Sequence, residues 1–356
     1  MSEAPLNRRA DLLDLSPTPE TLIPALPEAE LCFTIKQVGI ADASWILDHA
    51  SEQQIATCVD LDAWQGTVPD CEALDQWLDA LADASPEAFL KGIRSLDAEV
   101  VVIFLKNRIS VEQKPPQDDE DWEPPTGSQT LDGQFYFSLV RPDDDGASVL
   151  KMLHSLFNNE YWTYFRMLQG VSWELDAENE EWALRWRTAR LQDLGFPSWD
   201  ESMRIYRYVK PERLGRLNLD ERPPAVGEWH LPVWIPDLPQ LADDRFAIFD
   251  AIAKLENEER RSAFYAFVAL ANKVAVADRM ELSDAESTPK AIEKTARFAS
   301  LGLEFVAAEN GTDVTEVVRS STLERLFNVG ANLEPAAARP PRPPEEPEDD
   351  PDPTLN

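Results

Sequence analysis

Apolar residues recur every three to four positions along most of this chain, in runs of only about ten residues, a spacing that predicts short amphipathic helices. Between residues 18 and 108 the recurring positions are Leu31, Ile35 and Val38, then Trp45 and Ile46, Ile55 and Val59, Leu74, Trp77, Leu78 and Leu81, and Leu90, Ile93 and Leu96. Three helix starts share one chemistry. Thr18-Pro19-Glu20, Leu26-Pro27-Glu28 and Ser85-Pro86-Glu87 place proline at the first helical position and glutamate in the first turn, where the helix dipole favours a negative charge. Helices this short cannot bury their faces singly, so stacked helical hairpins in a superhelical array are expected over 18–108.

The texture changes at VVIFLKNRISV, residues 101–111, which is β-branched and predicted to pass from helix into strand. Prolines 115, 116, 124 and 125 and the acidic run Asp118 to Asp121 mark a solvated loop, and Asp132-Gly133 before alternating Phe135, Phe137 and Leu139 signals a β-hairpin. Helical spacing resumes with Val149, Leu150, Leu153, Leu156 and Phe157, then Tyr161, Trp162, Phe165 and Leu168. A helix is expected from about Ser198 to Tyr208, and a proline-rich strap carrying Trp229, His230 and Trp234 over 220–241. Further helices follow over 243–256, 259–280 and 288–309, and Asp313-Val314-Thr315-Glu316 is read as a capping box opening a last helix through Phe327. The predicted fold is mainly all-α, with one small inserted β-hairpin and an acidic, apolar-poor C-terminal tail expected to be disordered. Its parts are a flexible start at 1–17, the array at 18–108, the hairpin and loop at 109–142, a helical domain at 143–330 and the tail at 331–356.

The stretch Trp173 to Pro197 organises the second half. On a helical wheel, Glu181, Arg185, Thr188 and Gln192 form a polar sector, Trp182, Trp186 and Ala189 one apolar stripe, and Leu184 and Leu191 another, so burial on two sides is expected. Arg187 and Arg190 fall between the stripes, where each guanidinium must find a carboxylate, a carbonyl or an aromatic face. Glu160, Glu174, Asp176, Asp193 and Asp200 are the carboxylates nearest in sequence. The arginines, with Asp193, Trp182 and Trp186, form either an internal clamp or a site for an anionic ligand.

Composition narrows the functional classes. Thirty-three Lys and Arg against 66 Asp and Glu give a net charge of −33, which repels nucleic-acid backbones and anionic lipid surfaces. No run approaches the ~20 apolar residues of a membrane span, and no apolar segment follows Arg8-Arg9 as a secretory signal requires. Cys32, Cys58 and Cys71 lack Cys-x-x-Cys spacing and suit reduced thiols in a cytoplasmic protein. His49, His154 and His230 stand in unrelated contexts, neither Asp60 to Gly66 nor Asp143 to Gly146 has calcium-loop spacing, and the glycine-rich phosphate loops and the nucleophile elbow are absent. No catalytic residue, metal or cofactor is nominated.

Glu180-Glu181 followed by Arg185-x-Arg187-x-x-Arg190-Leu191-x-Asp193-Leu194-Gly195-Phe196-Pro197, with Ile35-Lys36-Gln37-Val38-Gly39 and Leu61-Asp62-Ala63-Trp64, resembles an uncharacterised bacterial domain-of-unknown-function family (6178-type) from about residue 7 to about residue 330. That resemblance implies a bacterial, all-helical protein outside the membrane and transfers no activity. The leucine spacing of 18–108 is also similar to the superhelical N-domain of bacterial magnesium transporters and to a flagellar switch protein. The expected function is a non-enzymatic helical scaffold or adaptor contacting other proteins, with Trp229 and Trp234 as docking candidates. The alternative is an enzyme or regulator binding an anionic small molecule near Arg187 and Arg190.

Overall fold

In the computed structural model, residues 6–115, 122–141, 147–216, 246–284 and 286–338 are described. The strap with Trp229 and Trp234, the acidic run, Asp143 to Gly146 and the tail beyond residue 338 lie outside them. The chain is mainly helical, and its strands form two two-stranded antiparallel sheets among the described residues.

One compact unit comprises the described residues up to Phe196 together with the segment from Glu281 to Ser287. Its helices are α1 (Leu6–Asp14), α2 (Pro19–Leu22), α3 (Glu28–Val38), α4 (Ser44–His49), α5 (Glu52–Asp62), α6 (Cys71–Ala84), α7 (Pro86–Ser95), α8 (Ala98–Arg108), α9 (Ala147–Asn159), α10 (Tyr161–Trp173) and α11 (Asp176–Asp193). Successive helices pack as hairpins, α6 on α7 and α9 on α10, and longer connections bring α3 onto α5 and α8 onto α11. Helices α9 to α11, expected to open a second domain at 143, belong to this first unit, and the division falls at Phe196–Pro197.

Side chains fix where these helices begin. Ser51 Oγ accepts from Gln54 N while Gln54 Oε1 accepts from Ser51 N, a reciprocal capping box at α5. The same Gln54 spends its amide on the carbonyls of Ile23 and Leu26, each at 2.8 Å, and so ties α5 to the turn after α2. Ser85 caps α7 and Asp70 caps α6. The largest fully buried side chain of the unit is Trp77, whose indole donates to Asp62 at 2.8 Å.

The strand pair is β1 (Ile109–Gln113) with β2 (Phe135–Leu139), antiparallel, Ile109 facing Leu139 and Gln113 facing Phe135. Asp132-Gly133 does not close this pair as a two-residue turn, as its position would suggest. Asp132 Oδ1 instead accepts from Gln134 N and Phe135 N, capping the entry to β2 after a long connection, with Gly133 at φ +73°. A second pair, Trp64–Gln65 with Val68–Pro69, turns through Gly66 at φ +64° just after α5. In α10 the buried face is Tyr164, Met167 and Leu168, while Trp162, expected on it, is 78% exposed.

The second unit holds the described residues of 197–216, 246–280 and 288–338. Its helices are α12 (Trp199–Ser202), α13 (Pro211–Leu214), α14 (Ala247–Ala253), α15 (Asn257–Ala277), α16 (Ser287–Asn310), α17 (Val314–Ser320), α18 (Leu323–Leu333) and α19 (Pro335–Ala338). The helix expected from Ser198 to Tyr208 is α12 continued by one 3-10 turn, Met203–Tyr206. Asp313 caps α17 through Thr315 N, but the helix does not run on to Phe327. It stops at Ser320, and Thr322 caps α18 afresh through Arg325 N. Phe298 and Phe327 meet edge to face at the core, with ring centres 5.7 Å apart. Here α16 and α18 cross at glycine: a methyl group on Gly302 would lie 1.9 Å from Leu326 O, and one on Gly330 2.0 Å from Phe298 O.

Candidate functional site

Helix α11 packs on α8 and α5, and the side it turns inward carries Asn179, Ala183 and Leu191, all buried, with Arg187 and Arg190 beside them. Arg190 is filled by two carboxylates. Its Nε and Nη2 donate to the two oxygens of Asp60 at 2.6 and 3.0 Å, and its Nη1 and Nη2 donate to those of Asp97 at 2.9 and 2.6 Å. Asp60 lies in α5, Asp97 at the N-cap of α8, so one guanidinium joins three helices. The join has a local consequence: Asp97 makes no side-chain bond to its own helix, because its carboxylate is turned to Arg190.

Arg187 uses the other two options open to a buried guanidinium. Its Nε donates to Asp60 O at 2.7 Å, its Nη1 to Gly66 O at 3.2 Å, and its guanidinium carbon lies over the Trp64 ring, 4.7 Å from the ring centre. Burial, with Asp60 opposing it and Arg190 adding to it, pulls the Arg187 group down to about 10. For Arg190 burial also works against the charge, but the bonds to Asp60 and Asp97 outweigh it and hold the group above its ordinary value. Burial pushes Asp60, 4% exposed, upward despite Arg190. Two guanidinium and two carboxylate groups balance within the cluster, which is neutral without an added anion.

None of the five carboxylates nearest in sequence serves these arginines. Asp193 is exposed at the end of α11, Asp176 pairs with Lys106 at 2.6 Å, and Glu160 pairs with Arg94. Asp60 and Asp97, missed from the sequence, stand 130 and 93 residues before Arg190. Asp60 carried a signal, since an ionised residue on the apolar side of α5 requires a cation.

The tryptophan stripe is reversed from expectation. Trp182 and Trp186 are 45% and 46% exposed, stacked with ring centres 6.1 Å apart and planes 26° from parallel. Trp173 and Leu175, where α10 turns into α11, are 71% and 64% exposed. Burial on two sides therefore does not hold: α11 keeps its arginines inside and its tryptophans outside. The corner is held from below by Lys106, which donates to the Glu174 carbonyl and pairs with Asp176. Glu174, Asp176, Glu178 and Glu181, along the same stretch of chain, are all exposed, and the guanidinium of Arg185 lies 5.1 Å from the Trp182 ring centre.

Among the described residues no helix is long and apolar enough to cross a membrane, and no group of three or more His, Cys, Asp or Glu is placed to hold a metal ion. The site is thus defined by a neutral arginine clamp inside a helical unit and an aromatic, acid-framed helix face above it. The chain belongs to a family of unknown function, DUF6178, which it matches over residues 1–337. No curated protein and no solved structure matches it.

Proposed function

We propose that this protein is a non-enzymatic scaffold or adaptor that acts in the cytoplasm through protein–protein contacts, with the outer face of α11 as a contact surface. The observation that carries this reading is the exposed, stacked pair Trp182 and Trp186 on the outer face of α11, with Trp173 and Leu175 also exposed where α10 turns into that helix. Large apolar side chains grouped on a surface mark interaction sites, and tryptophan is the residue most enriched where such contacts draw their energy. The anionic-ligand reading has less support, because Arg190 spends its donors on Asp60 and Asp97 and the cluster already balances its charge.

The test is chemical cross-linking of the full-length tagged protein in its source cell, compared with Trp182→Ala/Trp186→Ala expressed to the same level. An adaptor gives defined cross-linked proteins that fall at least about tenfold in the variant. An identical cross-linking profile for both proteins removes α11 as the contact surface.

A further inference from the structure

The aromatic face has a charge as well as a shape. Residues 173–186 contain five carboxylates, at Glu174, Asp176, Glu178, Glu180 and Glu181, and one cation, Arg185; Lys106 pairs with Asp176, so the stretch stays acidic by three charges. Arg185 already lies against Trp182, and elsewhere in the chain Arg187 covers Trp64 at 4.7 Å and Arg279 covers Trp199 at 5.2 Å. An indole face binds a guanidinium through its negative quadrupole, and unpaired carboxylates on the same helix deepen the potential that the cation meets. Trp186 stands one turn beyond Trp182 in the same stack and is 46% exposed, with no cation over it among the described residues.

We infer that the Trp182–Trp186 face takes a cationic, arginine-bearing segment of a partner protein, one guanidinium lying on Trp186 while neighbouring basic groups pair with Glu178 and Glu181. This rests on the adaptor reading and adds the chemistry of the partner. Arginine is favoured over lysine because its planar, weakly hydrated head stacks on a ring as well as carrying charge, whereas an ammonium, which this chain also sets over Phe89 and Tyr206, is compact and strongly hydrated. An acidic or phosphate-bearing partner would meet like charge across the whole patch.

The probes are fluorescein-labelled octa-arginine and octa-lysine, titrated with the full-length protein and followed by fluorescence anisotropy at about 150 mM salt, where the Debye length of about 8 Å screens distant charges. Octa-arginine is expected to bind about fivefold more tightly, the factor one exposed guanidinium–indole contact supplies. In Trp182→Ala/Trp186→Ala that preference disappears while octa-lysine binding stays as it was. In Glu178→Gln/Glu181→Gln both peptides weaken together and the preference remains. Both substituted pairs are solvent-facing, so circular dichroism should match the parent.

Equal affinities of the two peptides for the unaltered protein overturn the inference without recourse to any variant. A preference that survives loss of both tryptophans overturns it too, since it then arises elsewhere on an acidic surface. The two readings fail separately: cross-linked partners that depend on the tryptophans but touch them with neutral or acidic segments keep the adaptor and dismiss the cationic partner. An unchanged cross-linking profile removes α11 as the contact surface and the cationic partner with it.

Discussion

Replacing Arg190 by alanine should destabilise the first unit far more than replacing Arg187, although the two arginines are one turn apart on α11. Arg190 carries four charged hydrogen bonds to Asp60 and Asp97, and Asp60 is only 4% exposed. Its removal leaves a carboxylate inside the protein with the Arg187 charge nearby and no cation bonded to it. Breaking a buried pair in this way costs about 3–5 kcal/mol, and about 10 °C in midpoint for a unit of this size. Arg187→Ala strands two carbonyls and uncovers Trp64, with no carboxylate losing its bonded partner, and should cost about 2 kcal/mol.

A pH series separates the mechanism from simple loss of packing. Asp60 sits above its ordinary value in the folded protein, so the native state holds its proton more tightly than the unfolded chain. Stability from this group is therefore present below the unfolded value near 4 and falls as pH rises through the folded value. Without Arg190 the folded value climbs further, and the deficit of Arg190→Ala relative to the parent should shrink between pH 7 and pH 5. Urea unfolding followed by circular dichroism, with the double variant Asp60→Asn/Arg190→Ala closing a cycle, gives the coupling. Equal costs for the two single substitutions, or a deficit independent of pH together with a coupling below about 0.5 kcal/mol, refute the clamp.

Two further outcomes follow from the packing. Gly330→Ala puts a methyl group 2.0 Å from a carbonyl oxygen that belongs to a facing helix backbone and cannot rotate away, so α16 and α18 must separate. A loss of at least about 3 kcal/mol is expected by thermal unfolding, against about 1 kcal/mol for Gly127→Ser, where nothing approaches and only the positive φ resists a side chain. The thiols should be silent: Cys32 and Cys58 are fully buried, and burial pushes Cys71 up to about 11, leaving about one thiolate in a thousand at pH 8. Ellman's reagent should titrate none rapidly in the native protein and three in denaturant, and Cys71 labelling should rise about tenfold per pH unit up to pH 10.

The helix starts were the most legible part of this fold, because their chemistry is local. Ser85-Pro86-Glu87 opens α7 as written, since proline at the first position lacks an N–H that would be orphaned there anyway. Thr18-Pro19-Glu20 opens only four residues of α-helix, because Pro24 follows and the chain tightens into the 3-10 turn Ile23–Ala25. The last helix breaks where Thr322 offers a second cap, a competition between two local signals that periodicity does not register. At the site the arginines were visible as polar interruptions of apolar stripes. Their partners were not, because contacts spanning 130 and 93 residues are set by which helices meet.

The reversal of α11 was hidden for a related reason. A wheel drawn for this helix offers two solutions, tryptophans inward with arginines at the edge, or arginines inward with tryptophans out. Indole area favours the first by several kcal/mol when taken alone. The second prevails because α5 and α8 present carboxylates at their junction, and an unpaired buried Asp60 costs more than two half-exposed indoles. The ion cluster therefore sets the rotation of α11 about its axis, and the exposure of Trp182 and Trp186 is its consequence. In the proposed adaptor this makes the clamp part of the contact surface at one remove: a helix locked through Arg190 presents its rings already ordered, so a partner spends less of its binding energy on immobilising them. Arg190→Ala should then weaken octa-arginine binding even though Arg190 is a cation turned away from the peptide, and on charge alone the opposite sign is expected.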